Sequence, residues 1–119
     1  MAVPRQPAPA RRRLREDEVF PAGWPDHRVH RVALHGGERL RVVERLPPGG
    51  AADDATAILF VHGWACSAYG WRRNMGPVAE SGYRALAPDL LGHGFSDKPL
   101  GDASRYGAVA MAAHLVEVL

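Results

Sequence analysis

The chain has one cysteine, Cys66, among 119 residues, so no internal disulfide can form, and the composition suits a reducing compartment. It has no apolar run approaching the roughly 18 residues of a membrane span. The arginines Arg11, Arg12 and Arg13 lead into Leu-Arg-Glu-Asp-Glu and lack the apolar segment that an export signal requires. These absences together predict a cytoplasmic protein with no membrane partner. Excess charge of one sign is also missing from the part that folds. Of 15 basic residues, five precede the first acid, Glu16, and residues 16–119 carry ten basic against thirteen acidic, a net charge of −3. A mildly acidic body, with no aromatics interleaved in its basic cluster, argues against a nucleic-acid partner.

What is present begins with a Pro- and Arg-rich segment, 1–17, whose small and charged residues predict a disordered basic tail. From Arg28 the polar/apolar alternation of HRVHRVALHGGERLRVVERL, broken at His35-Gly36-Gly37, predicts a β-hairpin with Val29, Val32 and Leu34 on one strand and Leu40, Val42 and Val43 on the other. A loop over 47–55 leads to ATAILFV at 55–61, a short apolar run that fits a strand buried on both faces. Residues 72–81 have helical spacing interrupted by Gly76 and Pro77, predicting a short helix ended by Gly82. YRALAPD at 83–89 is a second interior strand, so strand, helix and strand make a parallel βαβ unit. Ser104 is expected to cap a helix that starts near Arg105 and runs to Leu119, apolar on nearly all sides and therefore expected to meet protein on most of them.

The chemistry concentrates at His62-Gly63-Trp64, directly after the first interior strand. That position delivers backbone N–H groups to the carboxyl end of a parallel sheet, where α/β folds bind their ligands. A tight turn at Gly63 would expose the Trp64 amide, and an amide fixed in this way donates to a developing oxyanion without reorganising. ILFVHGWACSAYGW followed by RALAPDLLGHGFSDKP resembles the first part of an α/β-hydrolase-fold enzyme. The resemblance covers roughly residues 26–119 and implies that 18–119 is the N-terminal portion of one such domain, a β-hairpin leading into a mostly parallel sheet with flanking helices, the sheet being incomplete. It implies that the Trp64 amide is an oxyanion donor with its indole at the pocket mouth, and that Gly63 and His62 support the turn. It also implies that Asp89, Gly92, Gly94 and Ser96 form a structural loop, Asp89 accepting loop N–H groups as in an Asx turn.

Other candidates read as background. His93 is expected to be a solvated loop residue, His114 to lie on a helix surface or interface, and Cys66 to be a small buried hydrophobe without a partner base. Neither Ser67 nor any other serine lies in a Gly-x-Ser-x-Gly elbow. The resemblance therefore implies that the sequence stops before the nucleophile, with no triad within it, and that an interior strand is left with an open edge. No cofactor or metal is expected, and the partner is a small-molecule substrate. His62-Gly63-Trp64 with Trp71 resembles carboxylesterase-like members, implying an ester or related acyl substrate. Ser96-Asp97-Lys98-Pro99 resembles epoxide hydrolases and haloalkane dehalogenases, which use an Asp nucleophile. Those commonly carry Pro two residues after the turn glycine, where this chain has Ala65, and that departure tilts the expectation toward the ester. A non-catalytic interaction module is the remaining alternative.

Overall fold

Alternating side chains in the hairpin segment fold as two antiparallel strands, β1 (His27–Ala33) and β2 (Arg39–Arg45), paired from His27 opposite Arg45 to Ala33 opposite Arg39 in a computed structural model that describes residues 10–52 and 54–119. The parallel unit follows as β3 (Ala57–Leu59), a short helix α1 (Met75–Glu80) and β4 (Arg84–Pro88). β4 pairs parallel with β3 and antiparallel with β2, so the sheet order is β1-β2-β4-β3. Gly82, with φ +94°, stops the chain after α1, as a left-handed glycine does.

Because the sheet is covered on both faces, β2 and β4 are buried almost throughout. One face packs Phe20, Val43, Ala85 and Ala87 against Ala68, Met75 and Trp71 beneath α1. The other packs Leu34, Leu40, Val42, Leu86 and Leu91 against Met111 and Val118 of α2 (Ala108–Val118).

Three expectations change. The run 55–61 is not buried on both faces: only Ala57–Leu59 forms a strand, all three residues are half-buried, and Val61 is 43% exposed. Among the described residues β3 has β4 as its one neighbour, which leaves its other edge without a covering strand. Ser104 does not cap the last helix. Asp102 accepts from the Ser104 amide at 3.1 Å and starts a 3₁₀ turn over Ala103–Tyr106, after which Gly107, extended at φ −68° and ψ 156°, delays α2 to Ala108. Nor is α2 enclosed: none of its residues is buried, and Val109 and Val116 face solvent.

Much of the expected tail, 1–9, lies outside the described residues. Within 10–17 the contacts already begin, since Arg12 pairs with Glu18 and Glu16 reaches both Arg31 and Arg41. No helix among the described residues is long and apolar enough to cross a membrane.

Candidate active site

His62 ends the segment that leaves β3, and it is almost fully buried. Its Nε2 lies 3.0 Å from the Leu90 amide, which can only donate, so Nε2 is the acceptor and Nδ1 carries the proton. Nδ1–H then donates to the Gly63 carbonyl at 2.8 Å. That carbonyl also accepts from the Cys66 amide at 3.2 Å, closing a four-residue turn. The left-handed residue of this turn is Ala65, at φ +56°. Gly63 itself avoids positive φ, and a Cβ there would meet nothing, so the tight geometry expected of Gly63 is carried by Ala65. A negative φ at the first central residue and a positive one at the second is the type II pattern. Among the described residues the Trp64 amide donates to no protein group.

The Trp64 indole is 89% exposed, far from a core aromatic. It meets the His93 ring edge-on at 5.7 Å between centroids, and His93 meets His62 at 5.1 Å. His93 is thus a half-buried member of a three-ring stack and not the solvated loop residue expected, because the loop folds back across the turn. Cys66 also departs from expectation: it is exposed at the outer corner of the turn. Ser67 accepts from the Tyr69 amide at 3.4 Å and begins the 3₁₀ turn Ala68–Trp71. His114 is half-buried on α2.

Asp89 is the anchor of the loop after β4. Its Oδ1 accepts from the Ala68 amide at 2.7 Å and its Oδ2 from the Phe95 amide at 2.9 Å. These donors lie six or more residues away, so the carboxylate is a long-range tie between two loops and not a local Asx turn. Gly94, at φ +50°, brings its backbone onto that carboxylate so closely that a Cβ would overlap it. Gly92 packs under Tyr106, whose Cε1 would stand 2.6 Å from a Cβ. Ser96 is buried, accepts from the Arg41 amide at 2.8 Å and donates to the Asp89 carbonyl at 2.5 Å, stitching the loop to β2.

Arg41 is the residue that sequence reading passes over. It is 2% exposed, and its guanidinium donates to Glu16 Oε1 at 2.7 Å, the Phe20 carbonyl at 2.5 Å and Asp89 Oδ2 at 3.3 Å. Alternation between Leu40 and Val42 would place it in solvent. It is buried because residues 14–20 fold over that face, a contact with no local signature.

A cavity of about 840 Å³ opens between the Trp64 turn and the loop leading to α2, walled by Trp64, His93, Pro99, Leu100 and Tyr106. Its two charged residues are tethered. Lys98 Nζ donates to the Gly94 and Ser96 carbonyls at 2.6 and 3.0 Å, and Asp102, held below the ordinary carboxylate range by hydrogen bonds from Ser104, caps the 3₁₀ turn.

This combination of a turn after β3 with a free amide and a carboxylate-pinned loop after β4 agrees with comparison to known proteins. A family model described as "alpha/beta hydrolase fold" matches residues 56–119, more than half of the chain. The chain belongs to the alpha/beta hydrolase fold family. As a member it is 44% identical over 63 residues to an epoxide hydrolase of Caballeronia sordidicola, covering 53% of this chain and 19% of that protein. It is 48% identical over 46 residues to a haloalkane dehalogenase of Mycobacterium marinum, covering 39% and 16%. Among solved structures, an epoxide hydrolase from an endophytic Streptomyces superposes with TM-score 0.67 at 32% identity, covering 79% of this chain and 26% of that one. The chain spans about a fifth of the length of the curated relatives it matches.

Proposed function

We propose that this chain supplies the oxyanion-turn side of an alpha/beta hydrolase site acting on an epoxide, or on a haloalkane by the same chemistry, with a carboxylate nucleophile. The observation that carries the reading is the similarity to epoxide hydrolases in both sequence and structure, which outweighs the earlier tilt toward an ester. That tilt rested on Ala65 in place of proline. At φ +56° the position adopts a conformation closed to proline, so Ala65 speaks to the geometry of the turn and not to the substrate.

A carboxylate that opens an epoxide is left as an ester, and water attacking that ester carbonyl generates an oxyanion. The Trp64 N–H, which has no acceptor among the described residues, donates to that oxygen. His62 holds the turn through both ring nitrogens, and Asp89, Gly92, Gly94 and Ser96 keep the neighbouring loop in place. The 119 residues contain neither a Gly-x-Ser-x-Gly nor a Gly-x-Asp-x-Gly elbow, so the nucleophile of this reading is none of their own.

The test is turnover by the intact protein of styrene oxide, 1-chlorobutane and p-nitrophenyl acetate. Diol formation from the epoxide, or alcohol from the haloalkane, in excess of ester hydrolysis is expected; ester hydrolysis alone overturns the reading. Trp64→Pro removes the N–H at a turn position that tolerates proline, whereas Trp64→Ala keeps it. The proline variant is expected to lose about 100-fold or more in kcat relative to the alanine variant.

A further inference from the structure

Each carboxylate oxygen of Glu16, in the segment that folds over β2, holds a different arginine: Oε1 accepts from Arg41 Nε at 2.7 Å and Oε2 from Arg31 Nη2. Both arginines reach the same residue of the loop after β4. Arg31 Nη1 donates to the Phe95 carbonyl at 2.5 Å, and the Arg41 guanidinium lies over the Phe95 ring, 5.5 Å from its centroid. Asp89 Oδ2 is shared: the Phe95 amide donates to it at 2.9 Å and Arg41 Nη1 at 3.3 Å. Two cations thus face two carboxylates, and Arg41 stands nearer to Glu16 than to Asp89. The loop fixed in this way meets the Trp64 turn at three points. Asp89 Oδ1 accepts from the Ala68 amide at 2.7 Å, the Leu90 amide donates to His62 Nε2 at 3.0 Å, and the His93 ring packs edge-on against the Trp64 indole.

We propose that Glu16, through Arg31 and Arg41, is a positioning residue for the Trp64 amide, holding the loop that supports the turn. Glu16 touches no reacting atom. Its charge keeps Arg41 off Asp89 and so leaves Asp89 Oδ2 to accept from the Phe95 amide. Without that charge two guanidiniums face Asp89 alone. Arg41 is then drawn onto Oδ2 in competition with the Phe95 amide, Arg31 loses the carboxylate that aims it at the Phe95 carbonyl, and the ties at Phe95 and Ala68 loosen together. An amide moved away from a developing oxyanion stabilises the transition state less while ground-state binding is unchanged, so the loss falls on kcat and not on KM. This catalytic consequence rests on the hydrolase reading.

Hydrogen–deuterium exchange of the intact protein, read by mass spectrometry over peptides 66–70 and 93–97, tests the tie without reference to activity. Glu16→Gln keeps the shape and removes the charge, and Arg41 retains the Phe20 carbonyl and Asp89. Exchange in both peptides is expected to rise about tenfold, the scale of one hydrogen bond to a charged group. Glu44→Gln, which removes a carboxylate from the opposite face of β2, is expected to leave both peptides as in wild type. With styrene oxide, Glu16→Gln is expected to lower kcat about tenfold and to keep KM within about twofold. Unchanged exchange, an equal rise in Glu44→Gln, or faster exchange with kcat intact overturns the proposal. Arg31→Gln cuts the outer half of the same tie and decides if the first variant does not fold: it is expected to speed exchange over 93–97 and to lower kcat, and the absence of either overturns the proposal. A wild type that turns over no epoxide, with the exchange contrast present, overturns the hydrolase reading and leaves the hold of Glu16 on the loop standing.

Discussion

The guanidinium of Arg41 on β2 lies 3.3 Å from the carboxylate of Asp89 after β4, with both residues almost wholly shielded from water. Asp89 in turn holds the amides of Ala68 and Phe95, one on each of the loops that frame the Trp64 turn. A buried cation on a central strand thereby ties the amino-terminal segment, through Glu16 and the Phe20 carbonyl, to the loops at the site.

Removing that cation leaves Asp89 and Glu16 without it. Arg41→Met is expected to destabilise the intact protein by about 3 kcal/mol, the scale for breaking a buried pair from one side. Arg41→Lys is expected to recover little, because a single ammonium cannot span three acceptors set around a planar fork. Urea midpoints of the three proteins check both statements, and a Lys variant as stable as wild type would contradict them.

Ala65 occupies left-handed space at the turn. Ala65→Gly is expected to leave stability unchanged or raise it by up to about 1 kcal/mol, since glycine adopts this φ without strain. Ala65→Pro is expected to lower it by about 3 kcal/mol or more, because its ring fixes φ near −65°. Thermal denaturation of the pair measures the contrast, which vanishes if residue 65 has negative φ.

Glu44 on β2 is buried, and desolvation pushes its pKa up. Hydrogen bonds from Arg84, at 2.9 and 2.6 Å, and from His30, at 2.6 Å, outweigh that and hold it below the ordinary 4.5. A depressed folded-state value means that the unfolded chain binds the proton more readily. The stabilisation is therefore complete above pH 4.5 and is lost as pH falls through the folded-state value. Glu44→Gln is expected to flatten the decline in urea midpoint between about pH 5 and pH 3; an unchanged slope would show that other carboxylates govern it.

Among the described residues no strand pairs with the outer edge of β3, near Val61, and α2 leaves Val109 and Val116 in water. The 119-residue polypeptide on its own is expected to self-associate, as exposed apolar edge strands do. Sedimentation velocity across a concentration series would reveal species that grow with concentration. A monomer with a sharp cooperative melt would contradict the expectation.

Period and punctuation in the sequence located the hairpin, the parallel unit and the terminal helix, because each depends on neighbours a few residues away. The resemblance to the α/β-hydrolase fold, and not period or punctuation, is what singled out His62, Asp89, Gly94 and Ser96. Three features escaped both. Arg41 lies at a strand position that alternation assigns to solvent, Ala65 takes the left-handed place in the turn expected at Gly63, and His93 meets edge-on the rings of His62 and Trp64, 31 and 29 residues earlier in the chain. Each depends on which segment folds over which, and local propensity does not encode that.

By itself, then, the sequence determined the order of strands and helices and the two loops that meet at the carboxyl end of the sheet, since hydrogen-bonding period and glycine placement are local properties. Only the tertiary structure decided that a cation lies under the Asp89 loop, that the Trp64 amide has no acceptor among the described residues and that His93 faces the cleft. Those facts follow from desolvation and partner geometry between segments distant in the chain, which the folded molecule alone brings into contact.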